Sequence, residues 1–343
     1  MPSLKRFSIV LPVRNGGEHL KLATASILNQ TLADDFELLI LENFSTDGTA
    51  EWLASLPDSR VRVHPADKLL SIEENWARIL RVPRGEFMTI IGHDDLLDAD
   101  YLATMNALVE EHPDAGLYQA HFRLIDSAGR FLRHCLPMPA RETAAEFLAA
   151  RLTNIRDTYG TGYLMRTADY DRVGGIPLYD KLMYADDSLW LRLMEGSWKA
   201  TSPHEVFSYR LHGQSTSGGI DPAAYLSALE RHQQALEMLA QRDPAVAHVL
   251  LRYAPPAYAS CAQYLDKRFL LRSAAGKGEY PPAIAERVQG LARPSAGANT
   301  VRMQRQMRLR LLEWACRLPG GRWLYRLAKW SAGLVGQKRR FID

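Results

Sequence analysis

The chain has 343 residues, of which 47% are hydrophobic and 24% charged, with a formal net charge of +3. That is the composition of an ordinary globular protein, long enough for one large domain with an appendage or for two domains. Three scattered cysteines (Cys135, Cys261, Cys316) and no CxxC pair argue against a zinc knuckle or a disulfide framework and point to a reducing compartment. The charge is uneven: residues 301–343 carry eleven Lys and Arg against Glu313 and Asp343, so the basic character belongs to the tail. The N-terminus reaches a strand without a long apolar stretch, and no run of about 18 apolar residues occurs, so neither a signal peptide nor a transmembrane helix is expected.

In chain order, FSIVLPV (7–13) reads as a buried strand ended by RNGG, being short, β-branched and apolar. A helix follows over roughly 18–29, then the strand FELLILEN (36–43) and the turn-rich FSTDGT, where Asp47 or Thr46 is placed to cap a helix over 49–56. VRVHP (61–65) is a third strand. A helix over 72–81 precedes the fourth, FMTIIG (87–92), and 99–111 is helical again. Nearly continuous apolar strands alternating with helices indicate a doubly wound, mostly parallel α/β sheet with both faces covered. Ligands of such sheets bind beyond the strands' carboxyl ends, which singles out 13–17, 42–47 and 93–95.

After about residue 115 the alternation stops. GLYQAHFRLID and GRFLRH read as a strand pair, YADDSLWLRLMEGSW enters a helix near Ser188, and HEVFSYRLHGQSTSGG is a strand breaking into a Gly/Ser loop. From Pro222 the pattern is helical, broken near Pro255–Pro256, Pro281–Pro282 and Pro319–Gly320–Gly321, with ARPSAGAN (292–299) the nearest thing to a linker.

Three constellations carry chemistry, and each has a plainer alternative. His93–Asp94–Asp95 at a strand end would hold Mg2+ or Mn2+, which prefer oxygen ligands; otherwise Asp95 and Asp98 start and cap the next helix. Asp186–Asp187 opens a helix, as a general base or simply as charges favourable to the helix dipole. Arg210 and His212, on one face by alternation, would meet an anion and a metal, or are ordinary surface groups. No GxGxxG, P-loop or GxSxG motif is present.

The order of these segments is more specific than any one of them. FSIVLPVRN, LLILENFSTDGT, GEFMTIIGHDDLLDADYL, DDSLWLRL and YRLHGQSTS together resemble the family 2 glycosyltransferases, of GT-A fold, over residues 6–217. The resemblance implies a catalytic domain at 1–220, and the helical pattern and basic charge beyond it give a helical extension at 221–300 and basic amphipathic helices at 301–343. It implies that Pro12, Val13, Arg14 and Asn15 line the nucleotide pocket, and that Glu42 takes the place of an aspartate that contacts the base. Asn43, Asn75, Asp94 and Arg210 complete the nucleotide-sugar contacts. Asp95 is the chief metal ligand, with Asp94 and His212, for Mg2+ or Mn2+. Asp186 or Asp187 is the base, and the two registers leave the choice open.

The chain departs from the family pattern at Gly92, where many members have the first acid of D-x-D, and at Glu42–Asn43, where the pattern has two aspartates. The implied activity is inverting transfer of a sugar from a nucleotide-diphosphate donor to a hydroxyl of a glycan or lipid-linked acceptor, in surface polysaccharide or lipopolysaccharide biosynthesis. A nucleotidyltransferase would show a Gly-rich basic loop after the first strand, and PVRNGGEH is a poor version of one. A non-catalytic nucleotide-sugar or glycan binding module on the same fold is the other alternative.

In the tail, Met303, Met307, Leu311, Trp314 and Leu318, then Trp323, Leu327, Trp330 and Leu334, recur at helical spacing with basic flanks. Such stripes suit a helix on an anionic membrane surface, through 301–340, or two helices packed on the catalytic domain. A cytoplasmic protein, peripheral on the inner face of the cytoplasmic membrane, is the expectation. No nucleic-acid-binding motif matches.

Overall fold

The computed structural model describes residues 5–32, 35–211, 221–274 and 280–291. His212, the 292–299 linker and the helices expected at 301–343 lie outside the described residues. The first half alternates as its sequence pattern requires: β1 (Phe7–Val13), α1 (Gly17–Leu28), β2 (Phe36–Glu42), α2 (Thr49–Ala54), β3 (Val61–Pro65), α3 (Ile72–Ala77) with a 3-10 turn to Arg81, and β4 (Phe87–Ile90). Then come β5 (Leu96–Leu97), α4 (Tyr101–Glu111), β6 (Leu117–Ile125), β7 (Phe131–His134), β8 (Arg141–Glu142), α5 (Ala144–Leu152), β9 (Tyr163–Arg166), α6 (Thr167–Arg172), α7 (Ala185–Leu193) and β10 (Lys199–Arg210). Three helices follow: α8 (Pro222–Ala240), α9 (Pro244–Ala274) and α10 (Pro282–Leu291).

The strands form one sheet in the order β3-β2-β1-β4-β9-β6-β10-β5. β1 pairs in parallel with β2 and β4, and β2 with β3. β9 runs antiparallel to both β4 and β6, while β6 and β10 are parallel. β5 and β8 run antiparallel to β10, and β7 to β6, but it is the reversal at β9 that matters for the site. The entry to β9 lies at the same edge as the exits of β1, β2, β4, β6 and β10, so the loop before β9 joins the loops after the others.

Both faces of the sheet are buried. Phe7, Ile9, Leu11 and Val13 pack with Leu20, Ala23 and Ile27 of α1 and with Tyr101, Leu102 and Met105 of α4. Val10, Leu39 and Leu41 pack on the other side with Leu148 of α5, Leu189 and Trp190 of α7 and Leu236 of α8. β1 is buried along its whole length, as a strand covered on both faces must be.

The structure differs from the sequence reading in three elements. β10 starts at Lys199 rather than near His204, because Lys199–Ser202 already pair with Leu117–Ala120 of β6. α7 starts at Ala185 rather than Ser188, following Tyr184 in the left-handed conformation at φ 60°. α9 runs through Pro255–Pro256, where a break was expected; adjacent prolines confine the missing N–H groups to one turn. Two compact units divide between Tyr253 and Ala254. The first contains the sheet and α8, whose Ala228, Leu236 and Leu239 belong to the second core. In the second, Phe269 stacks on Tyr280 with ring centroids 4.9 Å apart.

Candidate active site

The loops after β1 and β2 are tied to each other. Asn15, at φ 53°, donates its backbone N–H to the Ser45 hydroxyl (2.9 Å), and its side-chain oxygen accepts the Thr46 N–H (2.9 Å). Gly16 N–H donates to the Thr49 hydroxyl at 3.0 Å. Arg14 and Asn15 are exposed there, whereas Pro12 is buried in the strand and the Val13 side chain lies in the core. Glu42 is buried and accepts the Ser45 N–H at 2.7 Å.

Asn43 and Asn75, the other two asparagines assigned to the nucleotide side, are both bonded to neighbouring groups. The Asn43 amide exchanges two hydrogen bonds with the Leu70 backbone, at 2.9 and 3.0 Å. The Asn75 amide donates to the Leu41 carbonyl (3.2 Å) and accepts from Arg78 (2.8 Å). Arg78 also reaches the carbonyls of Glu42, His64 and Pro65. It lines a groove of about 840 Å³ at the exit of β3 with His64, Asp67, Lys68, Glu74 and Arg81.

At the exit of β4, Gly92 explains how the acidic pair is arranged. A Cβ built there would stand 2.6 Å from Asp94 Oδ1 and 3.0 Å from Asp95 Oδ2. The two carboxylates therefore converge on the place that a side chain at position 92 would fill. Asp95 is 1% exposed. Its Oδ1 accepts the Arg210 backbone N–H (3.0 Å) and its Oδ2 accepts the Thr161 hydroxyl (2.8 Å). Burial, then the neighbouring Asp94 charge, pushes the Asp95 carboxyl up to about 8, as both effects disfavour a second negative charge. The Arg210 guanidinium reaches the carbonyl oxygens of Asp94 (2.6 Å), Asp126 (3.1 Å) and Ser127 (3.3 Å). It thus clasps the loops after β4 and β6, where contact with a diphosphate was expected. The helix-capping alternative for Asp98 does not hold: its carboxylate pairs with Arg123, and α4 is capped at Asp100 without a side-chain bond.

The second acidic pair is divided by its partners. Arg151 of α5 grips Asp187 with two bonds, Nε to Oδ1 at 2.8 Å and Nη2 to Oδ2 at 2.7 Å. The Thr158 hydroxyl adds a third at 3.0 Å. Burial opposes ionisation of Asp187, but Arg151 and these bonds hold its carboxyl below the usual range. Asp186 is pushed the other way, up to about 7, by burial and by the Asp187 charge. Its side chain lies beside Gly160, which is also near the Trp76 indole.

Sequence reasoning missed Arg151, Thr158 and Thr161. The one local signal was the hydroxyl- and glycine-rich TYGTG before β9. Among the described residues no three His, Cys, Asp or Glu side chains cluster as a metal site. The converging oxygens of Asp94 and Asp95 fit a hard divalent cation in kind.

A mixed sheet, parallel through β3-β2-β1-β4 and reversed at β9, with acidic loops at one edge, is the architecture of GT-A glycosyltransferases. Residues 8–174 match the model of Glycosyl transferase family 2. Staphylococcus aureus TarS 1–349, solved with UDP-GlcNAc, superposes with a TM-score of 0.60 at 14% identity, over 87% of this chain and 92% of that one. Mannosyltransferase PcManGT of Pyrobaculum calidifontis, solved with GDP-Man and Mn2+, gives 0.52 at 17% identity, over 92% and 89%. By sequence, Glycosyltransferase GlyG of Streptococcus pneumoniae is 26% identical over 126 residues, 36% of this chain. The match spans 42% of GlyG's length.

Proposed function

We propose that the protein is a metal-dependent, inverting glycosyltransferase that moves a sugar from a nucleotide-diphosphate donor to a hydroxyl acceptor. The observation that carries this reading is the meeting of two acidic centres, Asp94–Asp95 and Asp186–Asp187, at one edge of the sheet. Each has the chemistry its role needs. Asp94 and Asp95 present hard oxygens to a cation. Asp187 is committed to Arg151, which leaves Asp186 to take a proton near neutral pH, where a general base is most effective.

In the reaction, Asp186 removes the acceptor hydroxyl proton while the acceptor oxygen bonds to the anomeric carbon. The bond from that carbon to the diphosphate oxygen breaks, and the configuration inverts. Mg2+ or Mn2+ on Asp94 and Asp95, with His212 as the further expected ligand, would supply charge to the leaving diphosphate. The chain's own contribution is to align base and anomeric carbon, which accounts for much of such an acceleration. Arg14 and Asn15, with Glu42 behind them, are the nucleotide-side groups. An acceptor in surface polysaccharide or lipopolysaccharide biosynthesis, glycan or lipid-linked, fits the family, and the basic sequence 301–340 fits contact with a membrane surface. No helix among the described residues is long and apolar enough to cross a membrane.

The test is a thermal-shift screen of UDP-, GDP-, dTDP- and CMP-sugars with and without Mn2+, on wild type and Asp95→Ala. A ligand that binds only the native state raises the melting temperature. The expected result is a Mn2+-dependent shift with one nucleotide class, lost in Asp95→Ala. Folded wild-type protein that shifts with none of them would overturn the transferase reading and favour the binding-module alternative.

A further inference from the structure

The segment Asp157–Gly162, DTYGTG, touches both acidic centres. Its Thr158 hydroxyl donates to Asp187 Oδ1 at 3.0 Å, and its Thr161 hydroxyl donates to Asp95 Oδ2 at 2.8 Å. Between them, Tyr159 lies flat on Tyr209 of β10, ring centroids 3.6 Å apart and planes 14° apart. Tyr209 immediately precedes Arg210, whose backbone N–H is the other donor to Asp95. The ends of the segment are fixed as well. Asp157 forms a two-bond pair with Arg133, at 2.7 and 2.8 Å, and accepts the Leu136 N–H. Gly162 N–H donates to the Ile90 carbonyl at the end of β4.

At Gly160 the strap passes within van der Waals reach of the proposed base. A Cβ there would stand 3.6 Å from Asp186 Cβ, 3.8 Å from Asp186 Oδ2 and 3.9 Å from the Trp76 indole. The strap's backbone thus runs beside the Asp186 carboxylate, while the two threonines flanking that glycine reach to opposite sides.

We propose that this strap sets the base-side acids against the Asp95 side, with Thr158 and Thr161 as positioning residues, one for each centre. The inference rests on the transferase reading above. The two hydroxyls, three residues apart in an irregular segment, reach different acidic centres, and Tyr159, stacked on Tyr209, lies between them in sequence. Each hydroxyl holds one carboxylate oxygen in place. Thr158 keeps Asp187 turned to Arg151 and so leaves Asp186 as the acid facing Gly160. Thr161 keeps the buried Asp95 oriented toward Asp94.

The two roles separate in a paired measurement. The probes are binding of UDP or GDP with Mn2+, by titration calorimetry, and Mn2+-dependent hydrolysis of UDP-GlcNAc or GDP-Man, with water as the acceptor. Thr158→Val is expected to lower kcat about tenfold, the effect of one hydrogen bond to a charged group, with the nucleotide Kd unchanged. Thr161→Val is expected to raise the nucleotide–Mn2+ Kd by about the same factor. Thr158→Ser and Thr161→Ser should each restore most of the loss, since serine keeps the hydroxyl. A strap that merely stabilises the fold would lower the melting temperature and move both quantities together in both variants; that result overturns the proposal. So does a wild-type enzyme that turns over while both valine variants match it in kcat and Kd. A folded wild type that neither binds nor hydrolyses any of the probes removes the transferase reading itself, and the proposal with it.

Discussion

Asparagine substitutions at 186 and 187 are nearly isosteric, yet they should do opposite things. Asp187 is 8% and Arg151 28% exposed, and they share two bonds of 2.7 and 2.8 Å. Asp187→Asn leaves the Arg151 guanidinium without its carboxylate in a largely buried place. Breaking one side of a buried pair costs about 3–5 kcal/mol, and the partial exposure of Arg151 puts this one at about 3. For a unit of this size that is a fall in melting temperature of roughly 6–12 °C. Asp186→Asn removes a charge that burial and Asp187 already disfavour, so the fold loses nothing. Turnover should fall by about two to four orders of magnitude, the usual contribution of a general base. Scanning fluorimetry of both variants, with donor hydrolysis at a saturating nucleotide-sugar, reads both effects. If Asp187→Asn melted within about 2 °C of wild type and was inactive while Asp186→Asn turned over, the two roles would be reversed and the argument from Arg151 wrong.

Two further outcomes follow from the same geometry. The Asp186 carboxyl is raised to about 7, so kcat/KM should climb as pH rises through about 7 and level off above it. A carboxyl raised on folding favours the folded state while it is protonated, and that contribution is lost as pH rises from the unfolded pKa of about 3.9 through the folded one. Asp186→Asn should therefore melt higher than wild type at pH 8 and level with it near pH 4. Separately, Gly92→Ala puts a methyl 2.6 Å from where Asp94 Oδ1 now lies. Asp94 must swing away, so the Mn2+-dependent nucleotide shift should weaken sharply, while the metal-free melting temperature moves by about 1 °C or less because the displaced atom ends a side chain.

The strands and the polar loops at their carboxyl ends were legible because they are local facts. FSIVLPV and FELLILE are continuous apolar runs, and RNGG and ENFSTDG are turn chemistry at their ends; the structure places β1 and β2 on 7–13 and 36–42. What could not be read was the partner of each polar group. Asp186 and Asp187 are identical residues at adjacent positions, and the group that separates them, Arg151, is 36 residues away from Asp187 in sequence. Asp95 is held by Thr161 and Arg210, 66 and 115 residues away. Strand alternation assigned Arg210 to a face of its strand, but no sequence rule says that its guanidinium turns to three backbone carbonyls. Asn43 is a similar case. Its position beyond β2 reads as a ligand contact, whereas its amide satisfies both polar groups of the Leu70 backbone.

The two acidic pairs face one electrostatic problem and meet it differently. Neighbouring carboxylates raise each other's proton affinity, and burial adds to the effect. At 186–187 the protein supplies its own cation: Arg151 takes one member, and the proton-accepting character is left on the other. At 94–95 the bonds that fix Asp95 come from neutral donors, a backbone N–H and a hydroxyl, and the nearby Arg210 guanidinium is turned to carbonyl oxygens instead. Asp95 accordingly stays raised, to about 8. A pair with a built-in cation keeps one member ionised and leaves the other to exchange a proton. A pair held by neutral donors gains most when positive charge arrives with the substrate. The difference in donors, more than the shared DD sequence, is what would separate a base from a cation site in the proposed reaction.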